Sequence, residues 1–242
     1  MSTKDHNISV NGLAVRVVRK DIKNLHLGVY PPNGRVRVAA PKAVNDEAVR
    51  LAVISKLGWI KRQRAKFATQ PRLSAREMVS GESHYFLGRR YRLRVVESQG
   101  PARIVQRDQS YLELHSRRGT DAKKRESILH RWYREQLRIL IPPLVTKWEG
   151  RLGVRAGGWG IKKMKTKWGA CSADKRRIWV NLELAKKPVE CLEYIIVHEL
   201  AHLIERHHKD HFIALMDKHL PQWRLHRQVL NTAPLSHDNW SY

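Results

Sequence analysis

The chain has 242 residues, enough for one or two domains with a real core, and 42% of them are hydrophobic. No apolar run approaches about 18 residues and the opening MSTKDHNISV holds no apolar signal core, so the composition argues against a membrane span and predicts a soluble, cytoplasmic protein. Two cysteines, Cys171 and Cys191, argue against a disulfide framework, while 47 Lys and Arg against 22 Asp and Glu leave a net charge of +25, a balance suited to association with nucleic acid.

In chain order, residues 8–18 read as an opening strand. Residues 25–30 and 35–39, joined by Pro31-Pro32-Asn33-Gly34, read as a β-hairpin. Asn45 is a helix N-cap, and Val49, Val53, Leu57 and Ile60 give residues 47–67 a helical period ending in the basic Lys61, Arg62, Arg64 and Lys66, before Pro71 closes the helix. A second β region follows: 85–88 and 91–96 as a hairpin around Arg89-Arg90, then short strands at 104–105 and 111–114. The basic stretch 117–125 is the expected boundary between a β-rich region, 1–119, and a second domain, 120–242. No internal repeat is visible.

A long helix begins near Asp121, with Ile128, Trp132, Leu137, Ile139 and Leu140 as its apolar members, and Pro142-Pro143 is expected to kink or break it before residues 144–152. After the glycines 157, 158 and 160, residues 161–166 and 178–182 read as paired strands joined by a turn at 173–177. Past residue 212 a helix continues to Pro221, an amphipathic helix spans 223–230, and the terminal LSHDNWSY is expected to fray.

Between these lies CLEYIIVHELAHLIERHHKDHF, residues 191–212. Residues four apart share a helical face, so His198 and His202 of H-E-x-x-H aim two imidazoles at one point, which suits a metal ion. Glu199, rotated by about 100°, stands beside that point and can take a proton from a water activated there. Zinc is the usual occupant, held at catalytic sites by three protein ligands with the fourth position left to water. His207, His208 and His211 all follow closely. His208, six residues after His202, has the preferred zincin spacing, although Glu205 stands where metzincins turn the chain on a glycine, so the turn is expected at Arg206-His207. The apolar residues surrounding the motif mark a buried helix, and a buried helix does not carry two histidines and a glutamate without partners.

KWGACS at 167–172, IWVNLEL at 178–184, Pro188 and YIIVHELAHLIERHHKDHF at 194–212 together resemble the YgjP-like metal-dependent hydrolases, a group related to the WLM and SprT-type zincin metallopeptidases. The likeness is strong over the C-terminal third and weak elsewhere. Ala170 stands where that family usually has Ser, and His207 where it usually has Asn. The resemblance implies His198, His202 and His208 as zinc ligands and Glu199 as catalytic base. It also implies an α+β fold in which the β-rich region precedes a minimal zincin-like core: a small antiparallel sheet, the HExxH helix and packing helices. In zincins a strand edge beside the cleft holds an extended peptide. On that pattern Trp168 and Asn181 lie near the site, or else serve core packing and turn capping, and Tyr194 and His211 are possible oxyanion donors. The expected function is therefore a zinc-dependent peptidase acting on a peptide or protein, with DNA association possible from the charge. The alternatives are a metal-dependent nucleotide pyrophosphatase and a DNA-binding module with a structural metal site.

Overall fold

Asn11 and Gly12 take left-handed φ angles of 48° and 74°, the two-residue turn whose twist matches that of paired strands. The run expected as a single strand is thereby folded into a hairpin, β1 (Asp5–Val10) and β2 (Leu13–Lys20). This computed structural model describes residues 5–30, 33–69, 76–164 and 167–232. The expected turn at Pro31-Pro32, the stop at Pro71, residues 165–166 of an expected strand and the terminal LSHDNWSY lie outside those residues. The chain divides into two compact units between residues 75 and 76.

In the first unit β3 (His26–Tyr30) and β4 (Arg35–Pro41) form the expected antiparallel hairpin, and β4 runs parallel to β2, giving the order β1-β2-β4-β3. Alternation buries Val15, Val17, Val36 and Val38 on one face. Asn45 caps α1 (Asp46–Ser55) by accepting the Ala48 N–H at 2.9 Å. Lys56 leaves helical geometry, with φ −111° and ψ 8°, so the single helix expected here becomes α1 and α2 (Leu57–Thr69). Val49, Val53 and Ile60 close the core over the sheet.

The second unit repeats that topology. β5 (Ser83–Phe86) and β6 (Arg89–Glu97) are joined at Leu87-Gly88, again with two left-handed residues, at 46° and 80°. That is two residues earlier than the expected Arg89-Arg90 turn. With β7 (Arg103–Gln106) and β8 (Tyr111–Ser116) the order is β5-β6-β8-β7, with the same sequence of antiparallel, parallel and antiparallel pairings. A repeat thus exists in topology that the sequence does not display.

Asp121 caps α3 (Ala122–Leu152) through the Lys124 N–H at 2.7 Å. The helix passes Pro142 and Pro143 unbroken. Two prolines remove the donors that would reach the carbonyls of Arg138 and Ile139, and all four residues are exposed, so water can satisfy those carbonyls. The opposite stripe of Leu137, Ile141, Val145 and Trp148 stays buried and holds the helix together. Leu93, Leu112 and Leu114 of the sheet share one core with Leu129, Tyr133 and Leu137 of α3. The expected domain boundary at 119/120 runs through this core.

The remaining elements are β9 (Gly158–Lys162), β10 (Gly169–Ser172), β11 (Arg177–Asn181), a 3-10 helix (Leu182–Lys186), α4 (Val189–Ala201), α5 (Asp210–His219) and α6 (Trp223–Thr232). The α+β class is as expected. The small sheet, ordered β10-β11-β9, is mixed and not antiparallel: β10 is antiparallel to β11, whereas β9 is parallel to it. The hairpin partner of β11 is therefore 169–172, whose small residues carry no strand signal, and not 161–166. Among the described residues no helix is long and apolar enough to cross a membrane.

The β5–β6 turn leans on the approach to α4. Leu87 N–H donates to the Ala185 carbonyl at 2.9 Å, and a Cβ on Gly88 would stand 2.8 Å from Cγ of Pro188, the residue before α4. Gly88→Ala combines that clash with a left-handed φ and is expected to cost about 1–3 kcal/mol. A denaturant midpoint equal to that of the wild type would contradict this.

Candidate metal centre

Helix α4 is apolar nearly all round because it is enclosed nearly all round. Leu192, Ile196, Val197 and Leu200 have no exposed surface, and Trp148 Nε1 and Lys147 Nζ of α3 both donate to Glu193 Oε1, at 2.8 and 2.6 Å. His198, Glu199 and His202 instead line a cleft of about 590 Å³.

The two helical imidazoles have ring centres 4.9 Å apart, and His208 joins them at 5.0 and 4.6 Å. Nε2 of His208 is 3.0 Å from Nε2 of His198. One ring nitrogen from each of the three lies within 4.8 Å of the others, which makes them a group that could hold a metal ion. Phe212 provides the floor: its ring centre is 5.0, 4.7 and 4.8 Å from those of His198, His202 and His208. Tyr194 meets His198 edge-on at 5.8 Å and stacks on Trp223 at 6.3 Å.

The return of His208 to the helix depends on Glu205. Past Ala201 the N–H groups of Leu203, Ile204 and Glu205 fold back on Leu200 and Ala201, and no residue of the reversal has a left-handed φ. Glu205 Oε1 accepts the His207 N–H at 2.9 Å, Oε2 is 3.5 Å from His211 Nδ1, and the Glu205 carbonyl is 3.1 Å from His202 Nδ1. A proton on that Nδ1 leaves Nε2 of His202 unprotonated, with its lone pair free for a metal ion. His207 and His211 are exposed, and neither belongs to the cluster, His211 being drawn to Glu205.

Burial, reinforced by the neighbouring imidazoles and Arg227, pushes His198 down to about 3. Burial also lowers His202, against the hydrogen bond to Glu205. Both rings are therefore neutral at neutral pH and offer lone pairs. Three convergent imidazoles fit a borderline cation such as zinc.

Glu199 is 5% exposed and stands beside the cluster. A Cβ on Gly169 would come within 2.4 Å of Glu199 Oε1, so the bare glycine of β10 makes room for this carboxylate. Burial pushes its carboxyl up to about 8, with Lys167 pulling the other way. Asn181 fixes the segment before β10: its Nδ2 donates to the carbonyls of Lys167 (2.7 Å) and Met164 (2.8 Å), and its Oδ1 accepts the Glu183 N–H at 3.2 Å. Asn181 is thus a capping residue behind the site, whereas Trp168, Tyr194 and the half-buried Cys171 line the cleft.

Sequence reasoning assigned no role to Gly169 or Phe212 and took Glu205 only as an absent glycine. The signal for Gly169 was its place in KWGACS. A glycine kept for the room it leaves has no signature of its own, and Phe212 reads as ordinary core.

A family model described as YgjP-like, metallopeptidase domain, matches residues 23–233 of the chain. No curated protein matches it. The geometry predicts that protein purified with zinc holds about one ion per chain, and that His202→Ala, with only two imidazoles left, loses it. Elemental analysis of the two proteins side by side decides this, and equal metal in both would exclude the His198, His202 and His208 site.

Proposed function

From the premise that the chain belongs to the YgjP-like metallopeptidase family, we propose that it is a zinc-dependent peptidase with Glu199 as general base. The carrying observation is the convergence of three imidazole nitrogens within 4.8 Å beside a buried carboxylate that is not itself one of the group. His198, His202 and His208 would hold the ion. When bound, zinc supplies Lewis-acid polarisation of a carbonyl and brings the pKa of water down to about 7.

The rest falls to the side chains. Burial makes the Glu199 carboxylate more basic, so that it would take a proton from the attacking water and pass it to the leaving nitrogen. The bare Gly169 leaves the room in which that carboxylate stands. The alternation of the antiparallel ladder directs the backbone groups of Ala170 and Ser172 to β11, so those of Gly169 and Cys171 face the free edge of β10. An extended peptide could add there as a further strand, held through its backbone. Tyr194, which lines the cleft and meets His198 edge-on, would donate to the developing oxyanion.

Glu199→Gln keeps the shape and loses the base. It is expected to retain zinc and lose about 10²–10⁴-fold in kcat on any peptide the wild type cleaves. Gly169→Ala should retain zinc and lose turnover because the Glu199 carboxylate is displaced. Undiminished cleavage by Glu199→Gln would remove the base assignment, and hydrolysis of a nucleoside triphosphate in place of peptide, abolished by the same change, would move the chemistry to phosphorus.

A further inference from the structure

The charged lining of the cleft is lopsided. Lys167 reaches it from the segment before β10, Arg206 from the reversal after α4, and Arg227 from α6, and all three are exposed. Among the described residues none of the three is joined to a carboxylate by an ion pair or hydrogen bond; Arg227 only rests over the Trp223 ring, at 5.9 Å.

Three acids on the surrounding elements are engaged elsewhere. Asp217 is held by Arg224 and by Trp223 Nε1, Glu205 by the His207 N–H and His211, and Glu193 by Lys147 and Trp148. Within the cleft the carboxylates are Glu199, which is enclosed, and Asp174 at the β10–β11 turn. Lys167, Arg206 and Arg227 thus enter the cleft from three different parts of the chain. Asp217, Glu205 and Glu193 are therefore already paired with other groups.

We propose that Lys167, Arg206 and Arg227 select substrates carrying acidic side chains beside the scissile bond, so that the substrate class is an acidic peptide segment. This rests on the peptidase assignment above. The net charge of +25 adds steering of the same sign. A peptide with acidic side chains meets all three requirements of the cleft at once: a backbone for the β10 edge, an amide for the reacting centre, and anionic groups for the cations. A nucleic acid meets only the last.

The test uses two fluorescent peptides alike except that Asp and Glu in one are Asn and Gln in the other, with the full-length, zinc-loaded protein. Binding is read by anisotropy on Glu199→Gln, and cleavage by mass spectrometry on the wild type. The acidic peptide is expected to bind about tenfold more tightly, and the gap to close between about 50 and about 500 mM NaCl as charges are screened. Arg206→Gln and Arg227→Gln should each narrow the gap, and Arg227→Lys, which keeps the charge, should restore most of it. Equal affinity for the two peptides would overturn the proposal. So would a single-stranded oligonucleotide that binds the cleft more tightly than the acidic peptide, since the cations would then serve a polyanion. If the binding difference holds but the wild type cuts neither peptide, charge selection stands and the peptidase assignment fails.

Discussion

The centre of the molecule is governed by the burial of α4. A helix with apolar residues on nearly every side can place a polar group only where its shell is open, because an unpartnered polar atom in the core costs about 1–3 kcal/mol. Turning α4 by one residue would drive His198 and His202 into the packing of Leu192, Ile196 and Leu200. Hydrophobic packing therefore sets the aim of the imidazoles. The same burial then acts on the two kinds of group in opposite directions: it lowers His198 and His202, keeping their lone pairs free, and raises Glu199, making it more basic. A single cause supplies both a metal-ready donor set and a base near working pH.

The second requirement is that the chain come back. Where metzincins reverse on a glycine, this chain has Glu205, and no residue there adopts a left-handed φ. The work that glycine does by permissive backbone is done by one side chain and its carbonyl, which bind the His207 N–H, His211 and His202. Those contacts also sort the three candidates: His207 is used through its backbone and His211 faces Glu205, which leaves His208 to join the cluster. Sequence spacing favoured His208, and only the contacts of Glu205 explain why.

What was legible was what is local. The cap at Asn45, the start of α3 near Asp121 and the HExxH helix depend on residues within one or two turns, and each stands where its pattern predicts. The hairpin at Asn11-Gly12 was just as local, but only Ile8 and Val10 mark β1 from within and the run was taken as one strand. The continuous α3 and the short β10 were not legible. Proline propensity predicts a break, and only the buried stripe on the far side of α3 outweighs it. The residues of β10 are small because Glu199 and β11 lie against them, a reason found in contacts distant along the chain.

The two sheets share one topology, yet among the described residues only the second leads to a histidine cluster, and helix length is what separates them. At 1.5 Å per residue α1 extends about 15 Å, enough to lay Val49 and Val53 on its sheet, whereas α3 extends about 46 Å. The first half of α3 does what α1 does: Tyr133 Oη donates to the Tyr85 carbonyl at 2.6 Å, tying that half to the sheet. Its second half continues the same buried stripe through Ile141, Val145 and Trp148, and there meets Glu193 of α4. Pro142 and Pro143 fall in this second half on the solvent side, where a missing donor leaves only exposed carbonyls. The helix can tolerate them because its cohesion there comes from packing against α4, the element whose orientation fixes the site.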